Sequence, residues 1–225
     1  MQAVILAGGE GTRLRPYTTV LPKPMMPVGE KPILEIIINK LAESGIKNIV
    51  ISVGYLAAII EAYFGNGERF GVNIEYFVES KPLGTAGCLA LIENLEDEFI
   101  VTNGDILTDL DFGDLIQHHE THGRKVTICS YEKEVKISLG VLEIEDNTIK
   151  DYIEKPTYHF SVSMGMYVMN RSAIEHIPQN EHFDLPTLIK KLVSMDEPIN
   201  VFRFEGEWHD IGREEDYKAV LEKYK

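Results

Sequence analysis

Short apolar runs alternate with helical segments through the first half of the chain, and this alternation constrains the fold more than any other feature. The runs that predict strands are residues 3–6, 48–53, 74–78 and 99–102. The segments that predict helices are residues 32–44, 56–64 and 85–93. Strands that are apolar throughout and are separated by helices form a parallel sheet with helices on both faces. The first half therefore predicts a doubly wound α/β fold.

One of these helical segments carries a mixed signal. Residues 33–38 are rich in isoleucine and have strand propensity. However, Pro32 suits the first turn of a helix, and Gly45 suits the position just after a helix end. We therefore predict a helix.

The second half has a different pattern. A predicted helix at 111–122 is followed by shorter strands at 126–131, 139–144, 148–154 and 164–169, and then by helices at 184–193 and 214–224. Strands with few helices between them predict a small β-rich lobe. The predicted fold class is α/β, with a Rossmann-like mixed, mostly parallel sheet flanked by helices. We predict a single domain over 1–225, with halves at 1–123 and 124–225.

Composition and charge exclude several classes of protein. With 44% hydrophobic and 26% charged residues, the chain has an ordinary globular composition. Its net charge of −14 argues against nucleic-acid binding, which needs a broad basic surface. The N-terminus lacks the basic residues and the apolar length of a signal peptide, and no run reaches membrane-spanning length. Cys88 and Cys129 fit neither a disulfide framework nor a metal site, so we expect two buried thiols in a reducing compartment. Together these features predict a cytoplasmic protein that does not bind membranes.

A glycine-rich loop directly follows the first predicted strand, where an open α/β sheet places its phosphate loop. Gly8, Gly9 and Gly11 allow backbone amides to approach a polyphosphate, and Arg13 adds a bidentate cation. A dinucleotide-binding fingerprint would need Gly or Ala where Leu14 stands, and the Gly-Lys-Ser/Thr of a P-loop is absent. A plain turn at the end of the strand stays as the alternative.

Lys23 stands between Pro22 and Pro24. Proline fixes its own φ and restricts the residue before it, so this lysine is predicted to lie on a stiff, extended segment. A lysine held near a phosphate loop can stabilise charge in a transition state.

Taken together, the glycine-rich loop (8–16) and the Pro-Lys-Pro-Met segment (22–25) resemble the signature of sugar-phosphate nucleotidyltransferases, the nucleotide-sugar pyrophosphorylases. Motifs at 83–87, 103–105 and 210–213 extend the resemblance over the whole chain, most closely to the short bacterial branch of mannose-1-phosphate and glucosamine-1-phosphate guanylyltransferases. The resemblance implies a nucleotide-binding half at 1–123, a sugar-binding half at 124–225 and an active site between them.

Two aspartates from distant parts of the chain are predicted metal ligands. Asp105 ends a buried strand at the carboxyl edge of the sheet, and Asp210 stands next to Ile211-Gly212 near the C-terminus. Mg²⁺ bound to phosphate substrates takes one or two carboxylates and fills its other positions with phosphate and water oxygens. An Asx-turn or a helix cap is the alternative at each position. The resemblance favours the metal role, with Mg²⁺ as cofactor.

The resemblance also implies contacts to both substrates. Arg13 and Lys23 would be catalytic, and the nucleotide would contact Leu6, Ala7, Gly8, Gly9, Gly11, Thr12, Gly84, Thr85 and Gly104. For Thr85, a helix start is the alternative. The sugar phosphate would contact Gly140, Glu154, Lys155 and Gly165, although Glu154 and Lys155 could also form a solvated charge pair. Ser163 replaces an asparagine that is common in relatives, which leaves recognition of the sugar hydroxyls open.

Other polar residues are predicted to be structural. Asp109 and Asp111 are expected to cap the helix that follows, with Asp111 in the better position. His118, His119 and His122 lie on one predicted helix without a metal-binding pattern, so a solvated helix face is expected.

The predicted reaction joins a nucleoside triphosphate and a sugar 1-phosphate to give a nucleotide sugar and pyrophosphate. The resemblance favours GTP with a hexose, hexosamine or heptose 1-phosphate, and UTP or CTP are alternatives. A non-catalytic sugar-nucleotide-binding regulator and an oxidoreductase on the same fold are rival functions, and a homo-oligomer is possible.

Overall fold

The computed structural model describes residues 1–223 as a mixed α/β fold, which confirms the predicted fold class. The strands are β1 (Gln2–Ala7), β2 (Pro27–Val28), β3 (Lys31–Pro32), β4 (Asn48–Val53), β5 (Asn73–Val78), β6 (Glu98–Asn103), β7 (Ile106–Thr108), β8 (Val126–Lys136), β9 (Val141–Glu145), β10 (Thr148–Ile153), β11 (Thr157–Asn170), β12 (Ile199–Phe204) and β13 (Trp208–Asp210). The α-helices are α1 (Ile33–Glu43), α2 (Ala57–Phe64), α3 (Gly84–Gly87), α4 (Phe112–His122), α5 (Leu185–Ser194) and α6 (Glu214–Lys223). No helix in residues 1–223 combines the length and the apolar character needed to cross a membrane.

A seven-stranded sheet with the order β12-β8-β11-β6-β1-β4-β5 forms the centre of the molecule. Strands β6, β1, β4 and β5 are parallel neighbours, β12 is parallel to β8, and β11 runs antiparallel to both β6 and β8. β1 is almost fully buried because its residues are apolar on both faces. The sheet takes strands from both sides of residue 123, so the two predicted halves share one sheet.

Residues 33–43 form a helix, as predicted, despite their strand propensity. Ile33, Leu34, Ile37, Ile38 and Leu41 are buried and recur at helical spacing, so one face of α1 packs on the core. Tertiary packing of that face outweighs the propensity of single isoleucines. The helix ends at Glu43, and Gly45 follows its cap residue with a φ of +83°, in the left-handed region that glycine adopts without strain.

The helix predicted at 85–93 is much shorter in the structure and ends at Gly87. The amides of Ala86 and Gly87 donate to the Phe183 carbonyl, 2.9 Å away in each case. This distant partner holds the start of the segment, and residues 88–93 continue as turns. The last predicted helix is confirmed as far as Lys223, and Tyr224 lies outside the described residues.

β8 and β11 are longer than the predicted strands at 126–131 and 164–169. Their additional residues pair with each other, from Ser130–Ser163 out to Lys136–Thr157, and form a two-stranded ribbon. The hairpin β9–β10 lies between them in the chain and forms a separate two-stranded sheet. We call residues 132–160, the outer ribbon with this hairpin, the arm. Several of its large apolar side chains are exposed, namely Val135, Leu139, Leu142, Ile144, Ile149, Tyr152 and Phe160.

The prediction of a solvated histidine face is wrong for His119. Its side chain is only 1% exposed, and its Nδ1 lies 2.8 Å from the Thr127 hydroxyl. His119 follows Phe112 and Leu115 along the buried face of α4, which packs against β8. Burial therefore lowers the pKa of His119, with an opposing effect from Glu98.

Both cysteines are free and buried, as predicted. Burial raises the pKa of the Cys88 and Cys129 thiols to about 12. Neither thiol is therefore a nucleophile at neutral pH.

Candidate functional site

The main cleft is a cavity of about 410 Å³ at the carboxyl ends of the parallel strands β1, β5 and β6. All nine residues predicted to bind the nucleotide line it, together with Arg13, Lys23 and Asp105. Leu6 and Ala7 end β1, and the predicted residues from Gly8 to Thr12 lie in the loop after it. Gly84 and Thr85 begin α3, which follows β5, and Gly104 follows β6. Parallel strands bring these loops to one edge of the sheet, which is where open α/β folds bind ligands.

The loop after β1 fits closely against the neighbouring strand ends. A Cβ at Gly8 would lie 2.7 Å from Glu79 Oε1, and a Cβ at Gly54 would lie 2.9 Å from the Gly8 carbonyl oxygen. The backbone of Gly8 therefore requires glycine at position 54, whereas a Cβ at position 8 would displace the end of the Glu79 side chain. Farther along, the Thr18 hydroxyl donates to the Gly11 carbonyl at 2.8 Å and fixes the turn before Arg13.

Lys23 and Asp105 are ion-paired in the cleft. The lysine Nζ donates to Asp105 Oδ2, and the two side chains are only 11% and 20% exposed. The prediction of an extended segment at Lys23 is wrong, because residues Lys23–Met25 form a 3-10 turn. The Met26 amide donates to the Lys23 carbonyl at 3.1 Å and closes that turn. The stiffness expected from the two prolines therefore takes the form of a turn.

Asp210 reaches the same place from the C-terminal part of the chain. β13 pairs with β7 so that Asp210 stands opposite Ile106, and the Ile211 amide donates to the Asp105 carbonyl at 3.2 Å. Burial raises the pKa of Asp210, and the nearby Asp105 carboxylate raises it further, whereas Lys23 and Arg13 act in the opposite direction. The two aspartates therefore share one electrostatic environment.

Helix capping does not explain either aspartate. At α6, the amide of Arg213, the residue just before the helix, donates to Asp216 Oδ2 at 2.9 Å, so the capping bond there comes from Asp216. Asp111 does cap α4, since its side chain accepts from Gly113 N at 2.7 Å, as predicted. The capping prediction for Asp109 is wrong, because its carboxylate accepts from Glu207 N instead.

The aspartate pair fits a divalent cation bound together with a phosphate substrate. Asp105 Oδ1 is buried and has no hydrogen-bond partner among residues 1–223, although Oδ2 is bound by Lys23. Within the described part of the chain, no group of three or more His, Cys, Asp or Glu side chains is placed to hold a metal. Two carboxylates suffice for Mg²⁺ when phosphate and water oxygens complete its coordination.

A second cavity of about 240 Å³ adjoins the main cleft, and Thr85 and Asn103 line both. Its other walls include Ser163, Gly165 and Asp210. Gly165 has a φ of +74°, and a Cβ there would lie 2.5 Å from Asn103 Nδ2. The pairing of β11 with β8 is irregular at this point, between Ser163 and Tyr167. This irregularity opens the wall of the second cavity.

The structure does not bring Gly140, Glu154 and Lys155 to either cavity. Glu154 and Lys155 are 59% and 67% exposed and lie 3.7 Å apart as an ion pair on the arm. The ribbon from Thr157 to Ser163 has six residue steps, which correspond to about 20 Å in an extended strand. The structure therefore lends no support to the predicted contact between these residues and the sugar phosphate.

Sequence reasoning missed Glu79, Asn103 and His182, which also line the main cleft. Glu79 follows β5 directly, so the rule that located Asp105 at a strand end would have found it. Its Oε1 accepts from the Ser52 hydroxyl at 2.8 Å, and its Oε2 accepts from Leu83 N at 3.1 Å. Asn103 belongs to the same motif as Asp105. His182 comes from a loop that no sequence signal places near the cleft.

Comparison with known proteins places this geometry in context. A family model described as nucleotidyl transferase matches residues 2–225. A UTP–glucose-1-phosphate uridylyltransferase from Synechocystis is 37% identical over 98% of the chain, and a mannose-1-phosphate guanyltransferase from Schizosaccharomyces pombe is 36% identical over 96%. The chain spans 62% of the length of each of these relatives.

A solved structure matches the whole chain. HddC from Yersinia pseudotuberculosis has 28% sequence identity and a TM-score of 0.78, and the match covers 100% of this chain and 99% of that one. The same protein has been solved in complex with GMP-PN, with a TM-score of 0.74 to this chain.

Proposed function

The chain belongs to the nucleotidyl transferase family, and we propose that it transfers a nucleotidyl group from a nucleoside triphosphate to a sugar 1-phosphate. One observation carries this proposal. The glycine-rich loop, two cations and two carboxylates from distant parts of the chain converge on one pair of adjoining cavities. The rival functions lack such support, because a regulator without activity needs no paired carboxylates beside Lys23 and Arg13.

In the proposed reaction, a phosphate oxygen of the sugar 1-phosphate attacks the α-phosphorus of the triphosphate. The new bond joins that oxygen to the α-phosphorus. The bond between the α-phosphorus and the oxygen that bridges it to the β-phosphorus breaks, and that oxygen leaves with pyrophosphate. The nucleophile is already an anion at neutral pH, so no side chain needs to remove a proton. The protein must instead bring two polyanions together and neutralise their charge.

The cations of the main cleft are assigned to that task. Arg13 binds the β- and γ-phosphates with its planar guanidinium. Lys23 stabilises the charge that gathers around the α-phosphate, and its ion pair with Asp105 holds it in place beforehand. The backbone amides of the glycine-rich loop add donors that need no reorganisation.

Asp105 and Asp210 are proposed to hold Mg²⁺. A bound Mg²⁺ would supply Lewis-acid neutralisation of the phosphate oxygens. The raised pKa of Asp210 fits this role, since a buried carboxylate beside a second carboxylate gains from a cation.

Glu79 favours GTP as the nucleotide. Guanine presents two adjacent N–H donors, N1–H and the 2-amino group, whereas uracil presents one donor between two carbonyl oxygens. An ionised carboxylate only accepts hydrogen bonds and has about four acceptor positions, so Glu79 can accept from guanine while keeping its bonds to Ser52 and Leu83. The guanyltransferase relative and the GMP-PN complex of HddC agree with this preference. UTP is the second candidate, because the uridylyltransferase relative is equally similar.

The sugar is proposed to occupy the second cavity, beside Asp210 and the Ser163 hydroxyl. A hexose, hexosamine or heptose 1-phosphate would place its phosphate towards Lys23 and its ring towards Trp208. A cytoplasmic location fits these substrates and the two free, buried thiols.

Pyrophosphate release tests the proposal. The four nucleoside triphosphates are combined with several sugar 1-phosphates in the presence of Mg²⁺. We expect GTP with one sugar 1-phosphate to release pyrophosphate at a rate about 100-fold or more above that of Asp105→Asn. If no pair exceeds the rate of that variant, the proposal fails.

A further inference from the structure

A dense set of hydrogen bonds joins the loop after β5 to the segment that enters α5, about 100 residues later in the chain. The Phe183 amide donates to the Leu83 carbonyl at 2.8 Å, and the Phe183 carbonyl accepts from Ala86 and Gly87. These backbone bonds belong to none of the sheets. We call residues 83–87 and 183–185, with the bonds between them, the clamp.

The side chains of Thr85 and Asp184 complete the clamp with three further hydrogen bonds. Asp184 Oδ1 accepts from the Thr85 amide at 3.0 Å and from the Thr85 hydroxyl at 3.3 Å. The Thr85 oxygen in turn accepts from the Leu185 amide at 2.8 Å. Asp184 is the N-cap residue of α5, but its carboxylate makes no capping bond to its own helix. The side chain that ordinarily caps a helix is thus directed across to the other segment.

Gly84 is required by the same contacts. Its φ of +74° lies in the left-handed region, and a Cβ would lie 2.7 Å from both Asp184 Oδ1 and the Phe183 carbonyl oxygen. A Cβ at Gly87 would lie 2.7 Å from the Glu181 carbonyl oxygen. The glycines of the Leu-Gly-Thr-Ala-Gly motif therefore allow this close approach, in addition to any contact with the base.

The clamp lies between the two cavities. Gly84 lines the main cleft, Leu185 and Pro186 line the second cavity, and Thr85 lines both. Asp184 lines neither cavity and acts only through Thr85 and Gly84. A ligand in either cavity thus meets one side of the same hydrogen-bonded unit.

We propose that Asp184 is a positioning residue that holds residues 83–87 against α5. It thereby couples nucleotide binding to sugar 1-phosphate binding. The identity of the two ligands rests on the proposed function, whereas the clamp itself rests on the contacts above. A ligand that shifts Thr85 in one cavity also shifts its hydrogen-bonded partners Asp184 and Leu185, and Leu185 lines the other cavity, so the first ligand sets the wall that the second ligand meets. Positive coupling between the two sites follows, and it is reciprocal.

Hydrogen exchange tests the clamp without any substrate. In Asp184→Ala, the backbone amides of 85–87 are expected to exchange at least about tenfold faster than in the wild type, because a charge-assisted acceptor is lost. Asp184→Asn keeps an acceptor oxygen without the charge and should show a smaller increase, of about threefold. Asp111→Ala is the matched control, since it removes an aspartate N-cap from α4 and should leave exchange at 85–87 unchanged.

Ligand binding tests the coupling. The Kd of α,β-methylene-GTP, which cannot release pyrophosphate, is measured with and without a saturating sugar 1-phosphate that the wild type turns over. The sugar phosphate should lower this Kd about tenfold in the wild type and in Asp111→Ala. In Asp184→Ala the sugar phosphate should lower this Kd less than about twofold. The effect in Asp184→Asn should lie between those of the wild type and Asp184→Ala.

Equal coupling in the wild type and in folded Asp184→Ala would overturn the inference. If Asp184→Ala does not fold, Asp184→Asn decides, and coupling equal to that of the wild type overturns it. If the wild type turns over no sugar 1-phosphate, the proposed function fails, while hydrogen exchange still decides whether Asp184 holds the loop.

Discussion

The main cleft and the arm carry functional predictions of similar origin, yet the structure treats them differently. In the cleft and the adjoining second cavity, side chains from the loops after β1, β5 and β6 and from β13 converge, and Lys23 and Asp105 are largely buried. On the arm, Glu154 and Lys155 are mostly exposed, and their side chains bond locally, to each other and to Tyr152. The fold therefore gives the predicted cleft residues partners from distant parts of the chain. Within residues 1–223, it gives the side chains of Glu154 and Lys155 none.

The largest expected effect lies in the aspartate pair. Asp210→Asn should lower kcat by about 10²–10³-fold at pH 7.5, because the variant weakens cation binding where charge develops. Steady-state pyrophosphate release measures the effect. Asp151→Asn, an equivalent change on the exposed arm, is the control and should stay within about twofold of the wild type. Comparable losses in the two variants would remove the distinction between cleft and arm.

Glu79→Gln should lower the preference for GTP over UTP about tenfold, measured as the ratio of the two kcat/KM values. Glutamine keeps one acceptor but presents an NH₂ group to the donors of guanine, so part of the site becomes mismatched. The substitution should leave the KM for sugar 1-phosphate within about twofold. An unchanged GTP to UTP ratio would show that Glu79 serves only to hold Ser52 and Leu83.

Without a bound metal, the same aspartate pair should lower the free energy of unfolding at neutral pH. Asp210 has a folded-state pKa above its ordinary value. Between the unfolded-state and folded-state pKa values, the native state therefore binds more protons than the unfolded state. The free energy of unfolding thus falls as the pH rises through that window. Metal-free Asp210→Asn should therefore have a higher Tm than the metal-free wild type at pH 7, and the difference should vanish below the unfolded pKa, near pH 4. Thermal unfolding at both pH values measures this. A lower Tm at pH 7 would contradict the assignment.

The smallest effect is expected on the arm. Lys155→Met should change the KM for sugar 1-phosphate by less than about threefold, because the lysine is exposed and remote from both cavities. Initial rates at varied sugar 1-phosphate give this value, with Lys136→Met as a second exposed arm lysine for comparison. A tenfold rise confined to Lys155→Met would show that the arm closes onto the sugar phosphate.

These differences follow from what a sequence can specify. Local patterns located β1, α1 and the strand end at Asp105, because hydrophobic periodicity and turn residues act within a few positions. They could not place Lys155 relative to Ser163, since the path of the ribbon depends on the pairing of β8 with β11. They also missed the burial of His119, which depends on the contact of α4 with β8. Helix α3 ends early for a similar reason, because its amides bond to Phe183.

The central claim is that the cleft directs attack at the α-phosphorus, and the fate of an α-labelled triphosphate tests it most directly. Wild-type protein is incubated with Mg²⁺, a sugar 1-phosphate and GTP carrying ³²P at the α-position. The label should appear in a nucleotide sugar, with one pyrophosphate released for each product formed. Label found in GDP, with release of inorganic phosphate, would place the reaction at the γ-phosphorus and contradict the account.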